Sequence, residues 1–276
     1  MTATGPRFPY PKKLYPPVNA CVYCGATDDL STEHIIPYGF GGELILPKAS
    51  CEVHRKATSK VEDFILRRYL CPLRSHLGLP SRKPASRPNS YPLKLSCNGR
   101  SWKQKVKLGD HPGFFRFMLL DRPGKVAGRP RIQETYSISF VPIEVFPDIR
   151  QRLARLGADS FEDSVTIKAL DLAKFLAKIG HAFAVAELGS DVFEEFYVTG
   201  LIEGDTPDWN YWIGSYDRRP ELPLIRLHEL EFLRRGDELS VILHLLAPFT
   251  PNAAHEVIVG RLKSNVLLPP ASSLFA

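Results

Sequence analysis

Two pairs of metal-capable side chains, Cys21/Cys24 and Cys51/His54, constrain this chain of 276 residues more than any other feature. Each pair has two residues between its members, and 26 residues separate the pairs. In C-V-Y-C-G a knuckle brings both thiols toward one point, with Gly25 permitting the positive φ by which the backbone folds back. The run from Ser50 to Leu70 holds no proline or glycine. Val53, Ala57, Val61, Phe64, Ile65 and Leu66 recur there at helical spacing, so a helix is predicted to begin near Ser50. Cys51 and His54, three apart, share a face of its first turn. The four residues make a Cys3His set suited to Zn²⁺, and an ion whose four positions are all filled by protein has a structural role. It staples a small domain that cannot bury much surface.

The remaining composition agrees with a reduced, soluble protein. Five cysteines, two of them in a C-x-x-C, do not suit a disulfide framework, and Cys71 and Cys97 are expected to be buried as small hydrophobes. With 44% hydrophobic residues the chain can bury one large core or two modest ones. No apolar run approaches the roughly 20 residues of a membrane helix, and prolines stand where a signal peptide would be apolar. A cytoplasmic location is expected. The net charge of +6 is unevenly spread, with 18 Lys and Arg against 7 Asp and Glu in residues 1–107, and 18 against 23 in the rest. That asymmetry points to a polyanionic partner for the first half.

The expected fold class is α+β. Residues 1–17, rich in proline, read as an extended arm, and residues 18–75 as the zinc-stapled domain, with a hairpin between the ligand pairs. Residues 76–92 read as a Pro/Arg/Ser-rich linker, and residues 93–276 as a larger α+β domain. Antiparallel strands are predicted at 93–95, 103–108, 114–120 and 136–141, and again at 239–246 and 256–262. Helices are predicted at 145–156 and 166–188, the second with a broad apolar stripe in which His181 reads as a hydrogen-bonded core histidine. Trp102, Trp209, Tyr211 and Trp212 read as packing residues.

C-V-Y-C-G, then E-H-I-I-P, then G-G, then A-S-C-E-V-H leading into a helix, resembles the HNH endonuclease family over residues 18–70. The resemblance implies a ββα-metal fold in a zinc-bound variant and hydrolysis of phosphodiester bonds in nucleic acid, DNA rather than RNA. It assigns His34 as general base and Glu33 as the acidic group holding a catalytic divalent cation such as Mg²⁺. Pro37 and Gly42 would shape the loop between the strands. Lys48 and Arg55 stand where the family usually has Asn, and Asn or His. Neither side chain can ligate a hard cation while charged.

Three readings follow. Glu33 works with a rearranged ion, supplemented by Ser50, Thr58, Ser59, Glu62 or water. Lys48 and Arg55 hold the phosphate in place of an ion. Or the domain binds nucleic acid without cutting it. Lys56, Lys60, Arg67, Arg68 and Arg74 are further candidates for phosphate contact.

Overall fold

The helix predicted to begin near Ser50 and the hairpin before it both form. The computed structural model describes residues 12–162, 167–204, 206–217 and 226–269. Residues 1–11 of the expected arm and residue 166 of the expected second helix lie outside these. The fold is mixed α+β with antiparallel sheets and a Cys/His cluster near the N-terminus.

Three short strands open the chain: β1 (Lys12–Leu14), β2 (Ser31–His34) and β3 (Glu43–Ser50). β3 is central, antiparallel to β2 and parallel to β1. Gly42 allows the β2–β3 turn to close, since a Cβ there would lie 1.7 Å from the Ile36 carbonyl oxygen. A register shift between Ser31 and Glu33 leaves Lys48 bulged out of β3 with φ 48°. Helix α1 (Glu52–Phe64) follows at once, continues as a π-turn through Tyr69 and passes into α2 (Cys71–His76).

The strands predicted between 93 and 141 form, and they fall in two sheets. β4 (Ser90–Cys97) and β5 (Arg100–Lys107) form a hairpin joined by β8 (Ser160–Glu162), while β6 (Phe114–Leu120) and β7 (Ile138–Glu144) form a separate pair. Helix α3 (Ile149–Arg155) packs with the first of these over Leu93, Leu95, Val106, Leu153 and Ala158.

Helix α4 (Ala169–Leu188) is the hub. Phe175, Leu176, Ile179 and Phe183 are completely buried, each contributing roughly 1.5–3 kcal/mol of transfer free energy. The remaining elements are β9 (Phe193–Phe196), α5 (Thr199–Glu203), α6 (Trp209–Trp212), β10 (Ile213–Tyr216), β11 (His228–Arg235), β12 (Glu238–Leu245) and β13 (Ala254–Leu262). They build a sheet ordered β10-β13-β12-β11, with β9 also on β13. Trp209 and Trp212 are buried, and His181 is the expected core histidine, donating through Nε2 to the Val22 carbonyl at 2.7 Å. His244 and His255 lie on neighbouring strands but in adjacent registers, with Leu243 opposite His255, so they face different ways.

Three expectations need correction. The arm is not free of packing after residue 11. Lys13 pairs with Glu187 at 2.9 Å, and Tyr15 is buried and hydrogen-bonded to the same carboxylate. The boundary at 76–92 does not separate two cores, because Tyr15, Ile35, Leu73, Leu79, Phe183 and Val257 belong to one cluster. Cys71 and Cys97 are half-buried, with the Cys71 thiol 3.9 Å from the Tyr91 hydroxyl.

Candidate metal centre and the Glu33–His34 pair

The knuckle forms as its sequence requires. Gly25 has φ 77° and donates to the Cys21 carbonyl at 2.8 Å, while Cys21 donates to Ala26 at 2.7 Å. A bond from the Val22 amide to the Ala49 carbonyl, 2.8 Å, ties the knuckle to β3 just before Cys51. Cys51 occupies the N-cap of α1 in extended conformation, and its thiol faces the other three ligands.

The four donor atoms lie within 4.8 Å of one another, close enough to hold a metal ion. Cys21 Sγ is 3.6 Å and Cys51 Sγ 3.2 Å from His54 Nδ1, and Cys24 and Cys51 sulfurs are 3.9 Å apart. Tetrahedral bonds of about 2.3 Å to sulfur and 2.0–2.1 Å to nitrogen require separations of about 3.5–3.8 Å, and these three distances scatter about that range. Burial alone would push the Cys51 thiol up. The His54 amide and ring, with the neighbouring thiols, outweigh it and bring the thiol down to about 6, toward the thiolate a metal needs.

Beyond the ligands, His54 Nε2 lies 2.8 Å from Glu203 Oε1 on α5. A proton on Nε2 donated to that carboxylate leaves Nδ1 with its lone pair toward the cluster. Tyr23 stacks on His54 with ring centroids 5.1 Å apart and on His181 at 5.4 Å, fixing the plane of the imidazole. Nothing local in sequence announces Glu203, which lies 149 residues from His54.

Glu33 and His34 are neighbours in sequence and part company in space, because successive side chains of a strand point to opposite faces. Glu33 is buried at 5% exposure against Lys178 of α4, Nζ to Oε1 2.7 Å. The same ammonium, 1% exposed, lies 2.9 Å from Glu62 of α1 and 3.1 Å from the Ile35 carbonyl, and also donates to the His34 carbonyl. Four oxygens from β2, its following turn and α1 thus surround one cation that belongs to the chain. Burial alone would lower the Lys178 pKa, but Glu33 and Glu62 outweigh it and hold the ammonium charged. Burial raises the Glu33 carboxyl, with Lys178 opposing.

The sequence places Lys178 beside Phe175 and Ala182 on a buried row of α4. A lysine on an apolar helical row is a signal that it must meet a buried acid.

His34 remains half-buried, its ring 6.1 Å from Tyr38 in an edge contact. Burial first, then Lys178 and Arg82, lower its pKa, so the imidazole is neutral at neutral pH. Lys48 and Arg55 are exposed, Arg55 resting 3.8 Å from Glu52. Of the other basic candidates, Lys56 pairs with Glu52 and Arg67 with Asp63 on the helix surface. Arg74 points inward and clamps the carbonyls of Gly39, Leu66 and Pro80, so it is not a phosphate contact. Among the described residues, Cys21, Cys24, Cys51 and His54 are the one group of three or more His, Cys, Asp and Glu side chains placed to share a metal.

No family model, curated protein or solved structure matches the chain. No helix among the described residues is long and apolar enough to cross a membrane.

Proposed function

We propose that the β2–β3–α1 unit is a zinc-stapled nucleic-acid-binding module on an HNH-like ββα frame, in which cation-dependent hydrolysis has given way to binding. Zinc is held by the thiolates of Cys21, Cys24 and Cys51 and by His54 Nδ1, with Glu203 orienting the imidazole. The observation that carries the reading is Lys178. Its ammonium lies between Glu33 and Glu62, the two acids that would otherwise face a divalent ion across β2 and α1. Glu33 is buried, Glu62 is partly so, and the Lys178 ammonium already occupies the space between them, so these carboxylates offer no open site to Mg²⁺, which keeps several waters when it binds. Lys48, displayed by the β3 bulge, and Arg55, on the first turn of α1, are exposed donors suited to phosphate. The excess of basic residues in the first 107 supports a polyanionic partner, duplex DNA foremost.

One observation favours the hydrolytic alternative. His34 is a neutral, half-exposed imidazole, the state a general base requires. The two readings separate in a single set of measurements on the zinc-loaded chain with labelled duplex. Binding is expected to be salt-sensitive and weakened by Lys48→Gln/Arg55→Gln, with intact DNA recovered in Mg²⁺ or Mn²⁺. Divalent-dependent nicking that His34→Ala abolishes would replace the binding-only reading with the nuclease.

A further inference from the structure

The hairpin β4–β5 carries charge of one sign only. Residues 90–107 include Lys94, Arg100, Lys103, Lys105 and Lys107 and no Asp or Glu. β5 pairs with β4 alone, so it is an edge of its sheet. Lys103, Lys105 and Lys107 alternate along it, which puts all three on one face, and all three are exposed. None of the three forms an ion pair with a described residue. Across the ladder Lys103 stands directly opposite Lys94, a like-charge pair that costs stability, and Lys94 is drawn toward Glu162 at 2.9 Å. The other face of the hairpin is spent on packing, with Leu93, Leu95 and Val106 buried against α3 and Trp102 against the same cluster.

Lysine on an edge strand also discourages unwanted strand pairing. That purpose does not account for three cations on one face with a fourth opposite, nor for the absence of any acid from the segment. The spacing does have a counterpart. Alternate residues of a strand lie about 6.7 Å apart, near the separation of successive phosphates along one nucleic-acid strand. Three ammonium groups in line can therefore meet consecutive phosphates without reading bases. An anionic membrane suits this face less well, because the hairpin exposes no large apolar side chain to insert between lipids.

We infer that the exposed face of β5, through Lys103, Lys105 and Lys107, is a second nucleic-acid contact, tracking the phosphate backbone in addition to the metal-stapled module. The inference rests on the nucleic-acid reading above but uses residues wholly outside that module. Its test compares three full-length, zinc-loaded proteins on one fluorescein-labelled duplex, by anisotropy over a range of salt: the wild type, Lys103→Gln/Lys105→Gln/Lys107→Gln, and Lys48→Gln/Arg55→Gln. Each phosphate that a lysine no longer neutralises lowers the slope of log affinity against log salt by about 0.9, so the triple variant is expected to drop between two and three units of slope. Its affinity should fall at least tenfold, and replacing the same three lysines by arginine should keep it. The exposed positions leave folding intact, checked by a thermal midpoint no lower than that of the wild type.

A triple variant with wild-type affinity and slope, beside a weakened Lys48/Arg55 variant, overturns this inference alone. A weakened triple variant beside an unaffected Lys48/Arg55 variant supports the β5 surface and sinks the role given to the module. Absence of duplex binding by the wild type overturns both. Preference of the wild type for phosphatidylserine vesicles over duplex overturns the choice of partner.

Discussion

Two cation sites flank the same short strands and are built on opposite principles. The Cys21/Cys24/Cys51/His54 cluster gathers soft donors within 4.8 Å and leaves the charge to be supplied by an ion from solution. The Glu33/Glu62 cage gathers hard oxygen donors and is filled by Lys178 from the chain itself. The difference concerns where the positive charge comes from. An external ion makes a site responsive to chelators and metal supply, whereas a covalently attached ammonium makes it permanent and closes it to exchange. One set of donors is thus placed to take up a metal, while the other is already occupied by a side chain.

The sharpest way to break this contrast is to remove the external ion. Structural zinc is worth on the order of 10 kcal/mol in small peptides near neutral pH, comparable with the whole stability of a domain. Chelation, or Cys51→Ser, is therefore expected to abolish metal binding and to expose the amides of β2, β3 and α1 to hydrogen exchange. Full protection in metal-free protein would show that the cluster is no staple.

The internal cation comes next. Lys178→Met leaves the buried Glu33 carboxylate unpaired beside the partly exposed Glu62, which should cost up to about 3 kcal/mol in chemical denaturation. Adding Glu62→Gln to that variant should recover part of the loss. Wild-type stability for Lys178→Met would mean that the cage does not depend on its ammonium.

The smallest effect is expected from the hydrogen bond behind His54. Such outer partners are worth about 10–100-fold in metal affinity, and Glu203 is more than half exposed, so Glu203→Gln should weaken zinc binding by only about tenfold. Competition with a chromophoric chelator measures it, and an unchanged affinity would detach Glu203 from the site.

The contrast also explains what could be read from the sequence. The four metal ligands fall in two local pairs, and turn geometry and helical spacing at each pair place them without knowledge of the rest. The apolar stripe of α4 and the strands β12 and β13 were legible for the same reason, since their periodicity is continuous. The cage was not, because its acids lie on β2 and α1 and its lysine 144 residues beyond His34. Only tertiary packing brings them together. Glu33 next to His34 in sequence suggested joint action, but strand alternation buries one and leaves the other half-buried on the opposite face. The expected arm and linker failed through side chains that composition hides: Tyr15, Leu77 and Leu79 are buried among prolines and basic residues. β11 was not among the predicted strands, although Leu230 and Phe232 alternate with Glu229 and Glu231 as in a half-buried strand.

The position of Lys178 along the chain has a consequence for synthesis. Chains emerge N-terminus first at about 5–20 residues per second, so Glu33 and Glu62 precede their cation by on the order of ten seconds. All four metal ligands are already available by then, and the staple can close while α4 is still being made. Metal capture can come first, and the arrival of Lys178 then locks two separately translated stretches into one cooperative body.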